Sequence, residues 1–440
     1  MVVTDIGAHR SRTLSPMTRY AGNWLTVASN PQSRPRLTVV SAEIPAEQST
    51  SGFAPRLRRF VLAAGESMDV TLALIDRSET RAVVADPVAG CDVHVLWAPG
   101  PGWQRPGVRG RLGRLLVQYP FDPLPLHLQP RRSAPLRALL ETAQPDVVVL
   151  YLPYLLGLLG ECPDDVPVVA ALEEPWEWVV AGAVGRATAK DAWLGRRETA
   201  RFRRLYRRVA PRLSAAVAIS EAERDYFGAL IGPELLTVIA HGVDTTYYTP
   251  VPTAEDARDI DVLVVGKLRA AHNLDGALRT WEAARAHGWR WAFVGEVDDG
   301  VAARLRAAGC LVTGRVPDVR PIYARARCVL VPALDGRGVK TTALQAWATG
   351  RPLVCSQGAT RGLPAVPGEN LLTGEDPQAM ARQLALVLAD PDLSRGLGAA
   401  GRATALRECD AALVAARFTD VCLRAAGGHP RRASSTAGVA

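Results

Sequence analysis

The stretch CVLVPALDGRGVKTTALQAWATGRPLVCS, Cys328 to Ser356, decides the fold. It opens on an apolar run, Cys328–Leu334, short enough for a strand and bounded by turn residues. A loop with Gly336 and Gly338 follows, and then a helix of about ten residues that begins near Val339 and stops at Gly350, a residue suited to the position after a helix end. Pro352–Ser356 is the next short apolar run. Strand, glycine loop, helix, strand is the repeating unit of parallel α/β structure.

The same alternation continues in both directions. Upstream in the second half lie Asp261–Gly266, Trp289–Gly295 and Cys310–Gly314. In the first half the strand candidates are Arg36–Ile44, Met68–Asp76, Cys91–Pro99, Pro145–Pro153, Pro167–Leu172, Ser214–Ser220 and Leu235–Gly242. Runs such as DVVVLYLP and DVLVVG are almost continuously apolar, as strands covered by helices on both faces must be. A chain of 440 residues exceeds what one ordinary core supports. Two open parallel sheets are therefore expected, joined through the polar stretch Thr245–Asp259, TTYYTPVPTAEDARD. The expected division is an N-terminal domain over 36–245, a linker over 246–259, a C-terminal domain over 260–408, and a final helix over 409–426. Residues 1–35 and 427–440 have the composition of disordered tails.

Composition narrows the function classes. Apolar residues make up 48% of the chain and the net charge is +8. Only three of its 52 basic residues, Lys190, Lys267 and Lys340, are lysines, so the arginine excess reads as genome composition and no nucleic-acid partner is expected. No apolar run reaches the about 18 residues of a spanning helix, and no signal segment follows Arg10, Arg12 and Arg19, so a cytoplasmic protein is expected. The seven cysteines are scattered without metal-ligand spacing; Cys328 and Cys355 fall inside strands and read as reduced and buried. GxGxxG does not follow the first strand, GxxxxGK[ST] is absent, and neither HExxH nor GxSxG occurs, which weighs against dinucleotide oxidoreductases, P-loop enzymes, zinc proteases and serine hydrolases.

In open parallel sheets ligands bind beyond the carboxyl ends of the strands. Three loops there carry the right chemistry. In the first, Gly336 and Gly338 let backbone amides approach a phosphate. The helix dipole adds positive potential and Lys340 a full charge, a combination suited to a diphosphate held without an obligatory metal. An ordinary turn between strand and helix is the alternative. In the second, Gly266 ends a strand and Lys267 and Arg269 follow at once; a solvated loop is the alternative, with His272 as a loop or capping residue. In the third, SAEIPAEQSTSGFAPRLRRF, Ser41 to Phe60, Ser51 and Gly52 stand at a helix start where one domain can close on a phosphate held by the other. Glu173, Glu174 and Glu177 of LEEPWEW follow a first-half strand and either face the cleft or form a dipole-stabilised helix start. Arg196–Arg212, RRETARFRRLYRRVAPR, holds eight arginines against one glutamate, with Phe202, Leu205, Tyr206, Val209 and Leu213 on the apolar face. The basic face is either simply solvated or drawn to anionic lipid or an acidic acceptor.

Taken in order, these segments resemble the GT-B glycosyltransferases known as glycosyl transferases group 1. AVAISEAERDYF, Ala216 to Phe227, is similar to the strand and helix late in that family's first domain. VIAHGVDTTYYTP, Val238 to Pro250, is similar to its GVD signature before the linker. DVLVVGKLRAAHNLDGAL resembles the first strand and cation loop of its donor domain. The segment from Thr313 to Ser356 resembles its base-binding loop and phosphate-binding helix.

The resemblance implies a GT-B fold: two Rossmann-like α/β domains whose parallel sheets face a central cleft, with the final helix returning to the first domain. It implies a retaining transfer from a nucleotide-diphosphate sugar to an acceptor hydroxyl, with no obligatory cofactor or metal. The acceptor would be a small molecule, a glycan or a lipid-linked sugar, and the basic helix would touch an anionic membrane peripherally. Lys267 and Lys340, helped by Arg269, would neutralise the diphosphate, with Gly266, Gly336, Gly338, Val339 and Thr341 around them. Gly314, Arg315 and Val316 would line the base, and Gly52 would approach the phosphates from the other domain. Gln345 stands where the family has a glutamate for the nucleotide ribose, Arg337 stands where it often has an earlier acid, and Asp335 is the nearest carboxylate. Glu173 or Glu174 occupies the neighbourhood of a family histidine. A non-catalytic GT-B scaffold protein and a sugar-nucleotide epimerase are the alternatives.

Overall fold

The computed structural model describes residues 34–45, 53–76, 88, 90–97, 134–175, 177–178, 189–252, 257–266, 268, 271–334 and 339–428. Two parallel sheets organise them. The first contains β1 (Arg36–Ser41), β2 (Asp69–Asp76), β3 (Cys91–Trp97), β4 (Val147–Tyr151), β5 (Val168–Leu172), β6 (Ala215–Ala218) and β7 (Leu236–Val238), in the order β3-β2-β1-β4-β5-β6-β7. The second contains β8 (Ile260–Val265), β9 (Trp291–Val294), β10 (Leu311–Gly314), β11 (Ala326–Val331), β12 (Leu353–Ser356) and β13 (Leu372–Gly374), in the order β10-β9-β8-β11-β12-β13. In each, the chain runs outward from the first strand, returns, and builds the other side. The order thus reverses between β1 and β4 and between β8 and β11, where crevices open at the carboxyl edges.

The strands form because their runs can be buried on both faces. Every residue of VVVLY in β4 and of VVAAL in β5 is buried. Helices Ala134–Ala143, Ala189–Val209 and Glu221–Ile231 cover one face of the first sheet. Phe202, Leu205, Tyr206 and Val209 point into that layer, while Arg204 and Arg208 are exposed, as the helical spacing requires. The opposite face is covered by helix Phe53–Gly65 and by the last described helix, Ala411–Gly427. Those two helices meet at Phe60 and Phe418, whose rings stack with centroids 4.0 Å apart. In the second sheet, helices Ala271–Ala283, Asp299–Ala307 and Pro377–Ala389 lie on one face, and Arg320–Arg325 and Thr341–Ala348 on the other. Helix Pro391–Glu408 passes over Trp347 at Gly401, where a Cβ would stand 2.4 Å from the indole ring.

The chain crosses between the sheets twice, side by side. The Val243 N–H donates to the Cys409 carbonyl at 2.8 Å and the Ala411 N–H donates to the Val243 carbonyl at 3.0 Å. A Cβ on Gly242 would lie 2.7 Å from Cα of Ala411, so only glycine allows this approach. The Thr245 hydroxyl donates to Asp410 Oδ2 at 2.5 Å, and Arg402 donates to the carbonyls of Thr245, Tyr248 and Ala348.

Several strands are shorter than their apolar runs suggest. β1 ends at Ser41 rather than Ile44, because the Ser41 hydroxyl turns the chain by accepting from the Glu43 N–H at 2.9 Å. β7 ends at Val238 because the next two carbonyls, Ile239 and Ala240, accept from the Arg56 guanidinium instead of a neighbouring strand. β13 goes unforeseen, since three residues carry no periodicity. The helix after the glycine loop starts at Thr341 rather than Val339, with Lys340 at its N-cap, and Gly350 follows it with φ +67°, as expected of a left-handed terminator. The two expected tails fall outside the described residues except at 34–35 and 427–428, and the latter continue the last helix and its cap. Among the described residues no helix is long and apolar enough to cross a membrane.

Candidate functional site

A cleft of about 570 Å³ lies where the carboxyl edges of the two sheets meet. Its first-sheet wall consists of Arg56, Arg59 and Phe60 from helix Phe53–Gly65 and of His241 to Asp244 after β7. The second-sheet wall holds Val265 and Gly266 after β8, Gly295 and Glu296 after β9, Arg315 and Val316 after β10, and Thr341, Thr342 and Gln345 of the next helix. Ala411, Val414 and Phe418 of the last helix complete the lining.

Two glycines make the second wall possible. Gly266 adopts φ +142° and Gly295 φ +126°, both outside the range of ordinary side chains. A Cβ on Gly295 would stand 1.9 Å from the Gly266 carbonyl oxygen, so the ends of β8 and β9 approach only because that atom is missing. The Gly295 N–H in turn donates to the Gly314 carbonyl at 2.8 Å, setting the start of the loop that carries Arg315 and Val316.

Gln345 sits half-buried in the same wall. Its Oε1 accepts from the Tyr323 hydroxyl at 3.1 Å and its Nε2 donates to the Tyr248 hydroxyl at 3.0 Å. Burial, then the neighbouring Tyr247 and Asp318, push the Tyr248 phenol up to about 12, so both tyrosines stay protonated. At the cleft mouth the Arg320 guanidinium stacks 3.8 Å from the Tyr247 ring centroid while its fork grips Asp318.

Behind the first wall lies a buried charge cluster. Glu173 is 1% exposed, with Oε1 3.1 Å from Arg56 Nε and Oε2 3.5 Å from His241 Nε2. Burial opposes its charge, but Arg56, His241 and the Tyr151 hydroxyl outweigh that cost and hold the carboxyl below its ordinary range. Burial pulls the His241 imidazole down, as does Arg56, against the opposing pull of Glu173. In front, Arg59 pairs with Asp244 at 3.6 Å.

The sequence-derived candidates divide into four groups. Gly266, Arg315, Val316, Thr341 and Gln345 come together in the cleft. Lys340 and Val339 are half-buried beside it at the helix start, and Gly314 acts through its carbonyl. Gly52, Lys267, Arg269, Asp335, Gly336, Arg337 and Gly338 lie outside the described residues. Glu173 sits one layer behind the lining, and Glu174 is half-buried next to the field of Glu223. Glu177 does not line the cleft: it is buried, and its carboxylate accepts from Tyr206 at 3.0 Å and from Tyr226. Arg56, Arg59, His241, Tyr247 and Tyr248 were not singled out as site residues. Two signals could have found them: arginines one helical turn apart after the Gly52 loop, and a histidine directly before the glycine of HGVD. Among the described residues no group of three or more His, Cys, Asp or Glu is placed to hold a metal ion.

The chain matches the family model described as Glycosyltransferase Family 4 over residues 84–247 and that described as Glycosyl transferases group 1 over residues 259–390. No curated protein matches the sequence significantly. Among solved structures, sucrose-phosphate synthase from Thermosynechococcus elongatus gives a TM-score of 0.67 at 16% identity, covering 90% of this chain and 100% of that one. A glycosyltransferase from Rickettsia africae ESF-5 gives 0.63 at 11% identity over 89% and 98% of the two chains. Anabaena HepE, solved in complex with UDP and glucose, gives 0.59 at 15% identity over 88% and 98%. At such identities these likenesses speak to the fold, while the two family models supply the class of chemistry. With one glycosyltransferase model on each side of the crossing, in chain order, and the paired sheets of the fold beneath them, the chain is a GT-B glycosyltransferase.

Proposed function

We propose that the chain transfers a sugar from a nucleotide-diphosphate sugar to an acceptor hydroxyl, with retention of anomeric configuration and without an obligatory metal. The observation that carries this reading is the cleft itself. Its second wall brings a glycine-gated strand end, the Arg315–Val316 loop and the start of helix Thr341–Ala348 into one cavity large enough for a nucleotide sugar. The solved complexes of HepE with UDP and with UDP-glucose support a nucleotide sugar as donor.

In this reading the domain over 260–408 holds the donor and the domain over 36–245 holds the acceptor. The base lies against the Gly314–Val316 backbone and the ribose against Gln345. The diphosphate faces the Gly336–Gly338 loop, the amides at the start of helix Thr341–Ala348, and the cations Lys340, Lys267 and Arg269. Negative charge that develops on the departing diphosphate is stabilised by those cations and dipoles, so no protein nucleophile is required. The arginine face of helix Ala189–Val209 brings the protein to an anionic membrane surface on the cytoplasmic side, where a lipid-linked acceptor is met.

Calorimetry with UDP, GDP and ADP tests the donor site: one of the three binds in magnesium-free buffer, and Lys340→Ala weakens that binding at least tenfold. Absence of binding by all three sinks the reading. The anomeric configuration of the product, read by proton NMR, decides retention.

A further inference from the structure

Four side chains from separate elements converge behind the first wall of the cleft. Arg56 comes from helix Phe53–Gly65, Tyr151 ends β4, Glu173 follows β5, and His241 follows β7. The two terminal nitrogens of the guanidinium donate to the Ala240 and Ile239 carbonyls at 3.0 and 2.9 Å, while Nε lies 3.1 Å from Glu173 Oε1 as an ion pair without hydrogen-bond geometry. Among the described residues Oε2 of Glu173 is buried without a hydrogen-bond partner, and the nitrogen facing it is His241 Nε2 at 3.5 Å. Such a pair lies just beyond bonding range, as catalytic contacts often do before a ligand closes the site.

His241 lines the cleft whereas Glu173 does not, so the imidazole stands between a buried carboxylate and the cavity. A carboxylate facing Nε2 fixes the proton on that nitrogen and leaves Nδ1 with a lone pair and no hydrogen. We propose that His241 is the hydroxyl-accepting residue of the first wall: its Nδ1 accepts a hydrogen bond from a hydroxyl of the transferred sugar or of the acceptor. Glu173 and Arg56 are positioning residues that hold the ring in this tautomer. The inference rests on the sugar-nucleotide reading of the cleft and adds to it a specific contact on the side away from the diphosphate.

The groups facing the imidazole agree on its charge. Burial disfavours the imidazolium, the Arg56 guanidinium opposes it, and only Glu173 favours it. Tyr151 acts at one remove, through the carboxylate, and Phe53 presents an apolar ring with its centroid 6.4 Å away. The ring is therefore neutral at neutral pH and keeps the lone pair that a hydroxyl needs. Removing Glu173 takes away the one group that favours protonation, so the ring must then titrate at still lower pH.

Two measurements test this. The first is nitrogen NMR of protein labelled at histidine, with His241→Phe to assign the signal. The Nε2–H tautomer is expected, with titration below the ordinary histidine range and a further downward move in Glu173→Gln. A proton on Nδ1, or titration at or above the ordinary value, overturns the proposal. The second uses His241→Phe, which keeps a ring and removes both nitrogens. Binding of UDP, GDP or ADP should stay within about twofold, while diphosphate release from UDP-glucose, GDP-mannose or ADP-glucose falls at least tenfold. Unchanged release overturns the proposal. If no diphosphate binds the wild-type protein, the sugar-nucleotide reading fails, and the tautomer measurement still decides the pairing. Because Glu173→Gln leaves Arg56 buried beside a neutral amide and could fail to fold, the wild-type titration and the phenylalanine variant each suffice.

Discussion

Nε2 of Gln345 donates to the Tyr248 hydroxyl at 3.0 Å, across the seam between helix Thr341–Ala348 and the segment that crosses from the first sheet to the second. With Tyr323 donating to the other end of the amide, both ends of the glutamine side chain are hydrogen-bonded. Because Tyr248 accepts from the amide, its own hydrogen is left for other partners. In Gln345→Glu the Tyr248 phenol turns to donate to the new charge, as Tyr323 already does to Oε1, and that hydrogen is withdrawn. Nucleoside-diphosphate affinity should fall by about three- to tenfold, up to ~1.4 kcal/mol by calorimetry. A gain in affinity would instead identify the amide as a weakened site.

Phe418 is 1% exposed and stacked on Phe60 in the layer that closes the first sheet. Truncation to alanine removes the ring and leaves a cavity between two helices, which costs about 3–5 kcal/mol. Urea unfolding of Phe418→Ala should show a lower midpoint with an unchanged slope. A midpoint equal to that of the wild type would mean that the last helix adds nothing to the first core.

Gly295→Ala places a Cβ against the Gly266 carbonyl and demands φ +126° of an L-residue. The strained backbone alone costs about 1–3 kcal/mol. The contact can be relieved only by separating the ends of β8 and β9, so nucleoside-diphosphate binding should be lost even at temperatures where circular dichroism reports a folded protein. Retained affinity would show that the two strand ends do not shape the donor wall.

Glu223 is 6% exposed at the start of helix Glu221–Ile231, with its N–H on the Ser220 hydroxyl at 3.4 Å. Burial, then the fields of Glu174 and Glu173, raise its carboxyl from 4.5 to about 7, against the pull of its own backbone N–H and of Arg361. A carboxyl raised on folding adds stability that is complete below 4.5 and lost as pH rises to about 7. The amount is on the order of 3 kcal/mol. Glu223→Gln cannot ionise, so its thermal midpoint relative to wild type should rise between about pH 5 and about pH 8. A constant difference across that range refutes the assignment.

The sheets were legible because burial on both faces leaves continuous apolar runs, as in VVVLY and DVLVV. Their ends were not. Whether a strand stops at Ser41 or Ile44 depends on a serine hydroxyl turning back, and whether β7 stops at Val238 depends on a guanidinium from a distant helix. The donor wall could be anticipated in part, since Gly266, Arg315 and Gln345 follow strands in sequence and local order fixes their edge. The first wall could not, because Arg56, Glu173 and His241 are separated by more than a hundred residues or by two strands, and only the sheet order brings them together. Glu173 was singled out for following a strand, but nothing local distinguishes a carboxylate in the cleft from one a layer behind it.

The last helix supplies Val414, Phe418, Val421 and Cys422 to the core of the first sheet, although the whole second sheet intervenes in sequence. During synthesis the first sheet therefore emerges from the ribosome with part of one face covered only by helix Phe53–Gly65, and it must wait for more than 150 residues before the rest of that face can close. The second sheet carries no such debt and can fold from its own neighbours. The cleft thus comes into being last, at the moment helix Ala411–Gly427 docks, and a product terminated before that helix would present the uncovered apolar part of the face to the cell's chaperones.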